Sequence, residues 1–133
     1  MVILPKDDGI FVKKDDGTEV RYHLFEEYEI HENVLPSGAT QLWHYHTVVE
    51  EVIYIISGRM TVYWQEKGAP VQEVATSGQI VRVEDTPHTL GNPFPEPCVF
   101  VVFRFIPTGA PNQHLIKADK VLCGAQGYSL ETS

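Results

Sequence analysis

GATQLWHYHTVVEEVIYIISG, residues 38–58, opens and closes on glycine and carries two strand-like runs between them. Val52 to Ile56 is rich in β-branched and aromatic residues and ends at Ser57-Gly58, which predicts a strand closed by a turn. Gln41 to His46 predicts another, and side chains alternate faces along a strand, so His44 and His46 project to one side while Trp43 and Tyr45 project to the other. At strand rise the two histidine Cα atoms stand about 6.5 to 7 Å apart, a gap that two imidazole arms close onto one ion. Glu51 follows after Thr47-Val48-Val49-Glu50. If that connection is a plain hairpin, Glu51 lies opposite His46; if it joins two opposed sheets, both still point into the space between them. Glu50 faces the other way along the strand, which ranks Glu51 above it as the carboxylate partner.

Outward from this stretch the same grammar repeats. Strands are predicted at Tyr28–Val34, Met60–Gln65, Val71–Ala75, Ile80–Val83 and Cys98–Ile106, separated by turn residues such as Gly68-Ala69-Pro70, Ser77-Gly78 and Gly91-Asn92-Pro93. Near the start, Asp15-Asp16-Gly17 between Ile10-Phe11-Val12 and Val20-Arg21-Tyr22 predicts a hairpin. Evenly spaced short strands indicate an all-β sandwich or barrel. After Ile106 a Pro- and Gly-containing loop gives way to a short helix expected within 114–121.

The chain has 133 residues, room for one domain. Ten Lys and Arg against eighteen Asp and Glu leave a net charge of −8, which repels nucleic-acid backbones and anionic lipid surfaces. Half of the acidic residues, nine of eighteen, lie between Asp7 and Glu32, where a solvated face explains them better than a cation site. The opening MVILPKDDG has too short an apolar run for a secretory segment or a membrane span, so a cytoplasmic protein is expected. Cys98 and Cys123 are too few for a disulfide framework and are expected to be free thiols.

Two or three neutral imidazoles with one carboxylate form a borderline-soft donor set, suited to Fe, Mn, Ni, Cu, Co or Zn and poorly suited to Ca or Mg. A single carboxylate leaves a divalent ion with residual positive charge, the property that makes it a Lewis acid toward small oxygenated molecules.

Gly38-(X)5-His44-X-His46-(X)4-Glu51-(X)6-Gly58 resembles, at every fixed position, the first signature motif of the cupin superfamily. The second motif is met in part: Gly78, His88 and Asn92 correspond, with His88-(X)3-Asn92 at the family spacing. Gly78 to His88 is one residue short, and Glu84, Asp85 and Thr86 stand where the family has a Pro-X-Gly turn. The resemblance implies a double-stranded β-helix, a jelly-roll cupin barrel, with a divalent transition metal held inside by His44, His46, Glu51 and His88. It covers about residues 34–106, leaving an N-terminal arm of about 1–33 and a C-terminal arm of about 107–133 around a single cupin domain. It also implies a small-molecule ligand in the barrel and a metal-dependent enzyme, with a dioxygenase preferred. Decarboxylases or isomerases of small acids or sugars and non-catalytic ligand-binding cupins are the alternatives.

Several other residues carry expectations. Arg82 and Arg104 interrupt apolar strands and either line the rim or anchor a substrate carboxylate. Glu84 and Asp85 serve a turn or act as acid or base. Outward-facing Trp43 and Tyr45 leave apolar area wet, which predicts a homodimer through that surface. Phe94, Phe100, Phe103 and Phe105 are expected to line or flank the core, and His23, His31 and His114 to be surface or capping histidines.

Overall fold

A computed structural model describes residues 1–124. After a 3-10 turn at Lys6–Asp8 come β1 (Ile10–Lys13), β2 (Glu19–Leu24), β3 (Tyr28–Leu35), β4 (Glu50–Ser57), β5 (Arg59–Glu66), β6 (Ala69–Thr76), β7 (Ile80–Arg82), β8 (His88–Gly91) and β9 (Cys98–Phe105). One helix, α1 (Gln113–Ala118), follows. A six-stranded sheet runs β1-β2-β3-β9-β4-β7 and faces a three-stranded sheet, β6-β5-β8. All pairings are antiparallel, giving the expected all-β fold of two facing sheets.

The expected hairpin forms between β1 and β2, where Gly17 takes φ +94° and the Thr18 N–H donates to Asp16 Oδ1 at 2.8 Å. β3 is no loose arm: it lies inside the large sheet between β2 and β9. The Gln41–His46 stretch is not a regular strand. It lies along β8, held by isolated bridges, Thr40 to Gly91 and His44 to His88, and by the Gln41 N–H donating to the Leu90 carbonyl oxygen at 2.9 Å. β8 itself was missed, since its four residues carry no strand-like pattern of their own.

Between the sheets pack Leu35, Ile53, Ile55, Met60, Val62, Val83, Leu90, Cys98, Phe100 and Val102. Burying each large aliphatic or aromatic side chain here contributes about 1.5 to 3 kcal/mol. The turn from β4 to β5 depends on Gly58, which has φ +76° and on which a Cβ would run into the Pro97 carbonyl oxygen. Close to that turn Asn92, 1% exposed, donates to the Leu35 and Glu96 carbonyl oxygens at 2.9 and 2.8 Å and accepts from the Phe94 N–H at 3.0 Å.

The inner face of the large sheet changes character along its length. Register places Leu35 beside Cys98, Asn33 beside Phe100 and Ile55, His31 beside Val102 and Ile53, and Glu29 beside Arg104 and Glu51. The rows pass from apolar to charged, and the charged end is where the site forms.

Of Phe94, Phe100, Phe103 and Phe105 only Phe100 lines the core. Phe103 and Phe105 take the alternate positions of β9 and stack on the outer face, with Tyr28 against Phe103 at 5.7 Å between ring centroids. Phe94 lies beneath the Arg59 guanidinium at 4.0 Å.

Candidate metal centre

His44 and His88 are set by the backbone. Each N–H donates to the other's carbonyl oxygen, at 3.0 and 2.9 Å, a closed antiparallel pair that brings the two rings to 4.4 Å between centroids. Two residues on, His46 returns to the same side, its ring 5.1 Å from His44 and 6.0 Å from His88. Glu51 comes from β4 in the opposite sheet, so residues 47–49 bridge the two sheets and form no plain hairpin. His46 Nε2 stands 3.3 Å from Glu51 Oε1. One donor atom from each of His44, His46, Glu51 and His88 lies within 4.8 Å of all the others.

Ring orientation is fixed at two of the histidines. The Leu42 carbonyl oxygen sits 2.9 Å from His44 Nδ1, and the Thr86 carbonyl oxygen 2.7 Å from His88 Nδ1. A carbonyl only accepts, so each Nδ1 carries the proton and each Nε2 keeps its lone pair. This is the arrangement that supports metal-ligating imidazoles. His46 Nε2 is buried without a hydrogen-bond partner, a state that costs about 1 to 3 kcal/mol unless something fills it. Burial pushes the His88 pKa below its ordinary value, against a raising contribution from the Thr86 hydrogen bond, and so favours the neutral, ligating form. The donor set therefore fits a divalent transition metal.

Arg104, left open between rim and substrate anchor, points inward instead. Its Nε lies 2.9 Å from Glu51 Oε1 and its Nη1 3.7 Å from Glu29 Oε1. The Nε–H is not aimed at the Glu51 oxygen, so this contact is an ion pair without an aligned hydrogen bond. Glu29 in turn meets His31 Nε2 at 2.9 Å. His31, expected at the surface, is buried, with Tyr22 edge-on at 4.5 Å between centroids, and burial lowers its pKa. The row Glu51-Arg104-Glu29-His31 backs the site from inside the barrel. The signal for it was the register, which a single strand's sequence does not contain.

The remaining candidates separate cleanly. Arg82 is at the rim, its Nη2 donating to Glu50 Oε1 at 3.1 Å, which also takes Glu50 away from the cluster. Glu84 has φ +55°, a left-handed backbone that serves the turn where the family has Pro-X-Gly, and the shortened loop still delivers His88. Trp43 and Tyr45 are 50% and 62% exposed. His23 is half-buried and His114 exposed. Cys98 and Cys123 are free thiols, and burial pushes Cys98 up to about 11, so it is unreactive.

Two openings reach the cluster. A cavity of about 660 Å³ between β5, β6 and β7 touches His88, and a smaller one of about 390 Å³ touches His46. Among the described residues no helix is long and apolar enough to cross a membrane.

A two-sheet barrel with its polar cluster at the open end defines the cupin class. The family described as "Cupin domain" matches residues 31–104, and the chain belongs to it. No curated protein matches the chain. Among solved structures it is similar to a Lactobacillus farciminis oxalate decarboxylase in a formate complex, with TM-score 0.67 and 17% identity over 80% of this chain, which spans 33% of that one. It is similar also to a cupin 2 conserved barrel domain protein from Salinispora arenicola (TM-score 0.63, 17% identity, 88% of this chain and 98% of that one). A third is the Cupin_2 domain of an XRE family transcriptional regulator from Enterobacter cloacae (TM-score 0.56, 24% identity, 68% and 97%). At these identities the likeness speaks for the fold. The chain spans about a third of the oxalate decarboxylase.

Proposed function

We propose that the protein is a metal-dependent cupin enzyme acting on a small oxygenated organic molecule, as a dioxygenase, with a divalent transition metal held by His44, His46, Glu51 and His88. The observation that supports this most is the convergence of three imidazoles and one carboxylate around a buried, unpartnered His46 Nε2. Bound there, a redox-active ion supplies Lewis acidity and one-electron chemistry that no side chain of the chain offers.

The protein's own part is positional. Leu42 and Thr86 hold two imidazoles in the tautomer that leaves Nε2 free. Arg104 keeps the Glu51 carboxylate turned to the cluster, and Glu29 holds Arg104 from behind. Val62, Val81 and Val83 supply the apolar part of the cavity wall beside His88. We place the protein in the cytoplasm as a homodimer joined through the surface around Trp43 and Tyr45. Dioxygen uptake by the iron-loaded protein over a panel of small enols and catechols tests the activity. His46→Ala is expected to lose metal and turnover together, and a fully active metal-free variant would overturn the proposal.

A further inference from the structure

β1 stands last in the six-stranded sheet and pairs only with β2, so its other edge is free. Register puts Ile10 beside Tyr22 and Val12 beside Val20 on the inner face, yet both are exposed, and Phe11 is exposed on the outer face. A strand apolar on both faces with an unpaired edge is a surface for association with another strand. The charges at its ends say which strand fits. Asp7 and Asp8 precede it, and Lys13 and Lys14 close it. Among the described residues Asp8, Lys13 and Lys14 form no ion pair. Two copies of this strand laid antiparallel bring acid opposite base at both ends, whereas a parallel pair sets like on like. A two-fold axis between two such edges gives the antiparallel pair. Asp15 and Asp16 come next but turn back into the hairpin, where Asp16 Oδ1 accepts from the Thr18 N–H. The surface around Trp43 and Tyr45 adjoins this hairpin, since Gln41 Nε2, two residues before Trp43, donates to Thr18 Oγ1 at 3.5 Å.

We propose that β1 joins two copies of the chain edge to edge, so that their six-stranded sheets run on as one across the two-fold axis. The inference rests on the homodimer proposed above and names the strand that carries it. The register that sets Asp8 opposite Lys14 of the second copy puts Phe11 opposite its own copy and Ile10 opposite Val12. Main-chain groups left unpaired along each free edge then satisfy one another. Ile10 and Val12 gain apolar neighbours on one face and Phe11 on the other. The two acid-base contacts fix direction and partner more than they add affinity.

A charge exchange tests this by sedimentation at micromolar protein and low salt. One variant carries Lys13→Glu with Lys14→Glu, the other Asp7→Lys with Asp8→Lys; all four residues are exposed, so the core is untouched. Each variant alone sets like charges across the axis and is expected to dimerise at least about tenfold more weakly than the parent. Mixed one to one, the two are expected to form heterodimers, because acid again meets base at both ends. Should either variant fail to fold, Phe11→Cys with Cys123→Ser replaces it and is expected to form a disulfide-linked dimer under mild oxidation, as Cys98 is buried. Single variants that dimerise like the parent, a mixture that stays monomeric, or no disulfide link at position 11 overturns the edge pairing. If the dimer ignores these changes but is lost with Trp43→Ser and Tyr45→Ser, the earlier interface stands without β1. A monomeric parent overturns both.

Discussion

Arg104 Nε stands 2.9 Å from Oε1 of Glu51, the two paired across β9 and β4 on the inner face of the large sheet. The guanidinium fixes which way the carboxylate faces, and partners of that kind are typically worth about 10- to 100-fold in metal affinity. Arg104→Gln is therefore expected to weaken metal binding within that range while leaving the fold intact. Competition with a chromogenic chelator measures it, and unchanged affinity would remove Arg104 from its positioning role.

His31 and His88 are both buried in their neutral forms, with pKa values lowered chiefly by loss of hydration. The sign follows from linkage. In the unfolded chain each takes up a proton near its ordinary pKa of about 6.5, whereas in the folded protein it does not until lower pH. Protons thus favour the unfolded state, and stability is expected to fall as pH drops below about 6.5, levelling once the folded-state values are passed. Urea unfolding of the metal-free protein at neutral and mildly acidic pH should show the midpoint decline, and His31→Gln should flatten part of it. A midpoint that rises toward acid pH would contradict the burial of these neutral rings.

Gly58→Ala places a methyl group against the Pro97 carbonyl oxygen at a backbone with φ +76°. Neither the carbonyl nor the turn can yield without shifting β9, so a loss of about 1 to 3 kcal/mol is expected in chemical denaturation. A variant as stable as the parent would show that the β4-to-β5 turn relaxes freely.

Asn92 ties the end of β8 to the Leu35 and Glu96 carbonyl oxygens and to the Phe94 N–H. Asn92→Ala leaves these buried groups unpaired and is expected to cost about 3 kcal/mol. Because His88 lies on the same short strand, metal affinity should fall with stability. Stability lost with metal affinity fully retained would separate the loop from the site.

The dimer proposed around Trp43 and Tyr45 predicts a sedimentation coefficient of two chains at micromolar protein, and monomers after Trp43→Ser with Tyr45→Ser. A monomeric parent would remove that interface.

The motif-bearing stretch was legible because its cues are local. Alternation put His44 and His46 on one side, and the five-residue step to Glu51 brought the carboxylate back even though 41–46 is no regular strand. Return of His88 to the cluster depends on its backbone pairing with His44, a contact between distant residues that no local pattern encodes. β3 misled for a physical reason. Its inward positions before Leu35 are Glu29, His31 and Asn33, while Tyr28, Ile30 and Val34 share the outward face with Glu32, so over most of the strand polarity runs opposite to the usual rule and His31 reads as a surface residue. β9 shows the same inversion at its end, with Arg104 inside and Phe103 and Phe105 outside. In both strands the inverted positions converge on the site, where charged groups face one another.

Metal content of the protein, purified without a metal-affinity tag and measured beside His46→Ala, bears most directly on the cluster. About one transition-metal ion per chain in the parent and none in the variant is the predicted result. A folded parent that carries no transition metal and takes none up from Fe, Mn, Ni, Cu, Co or Zn would contradict it.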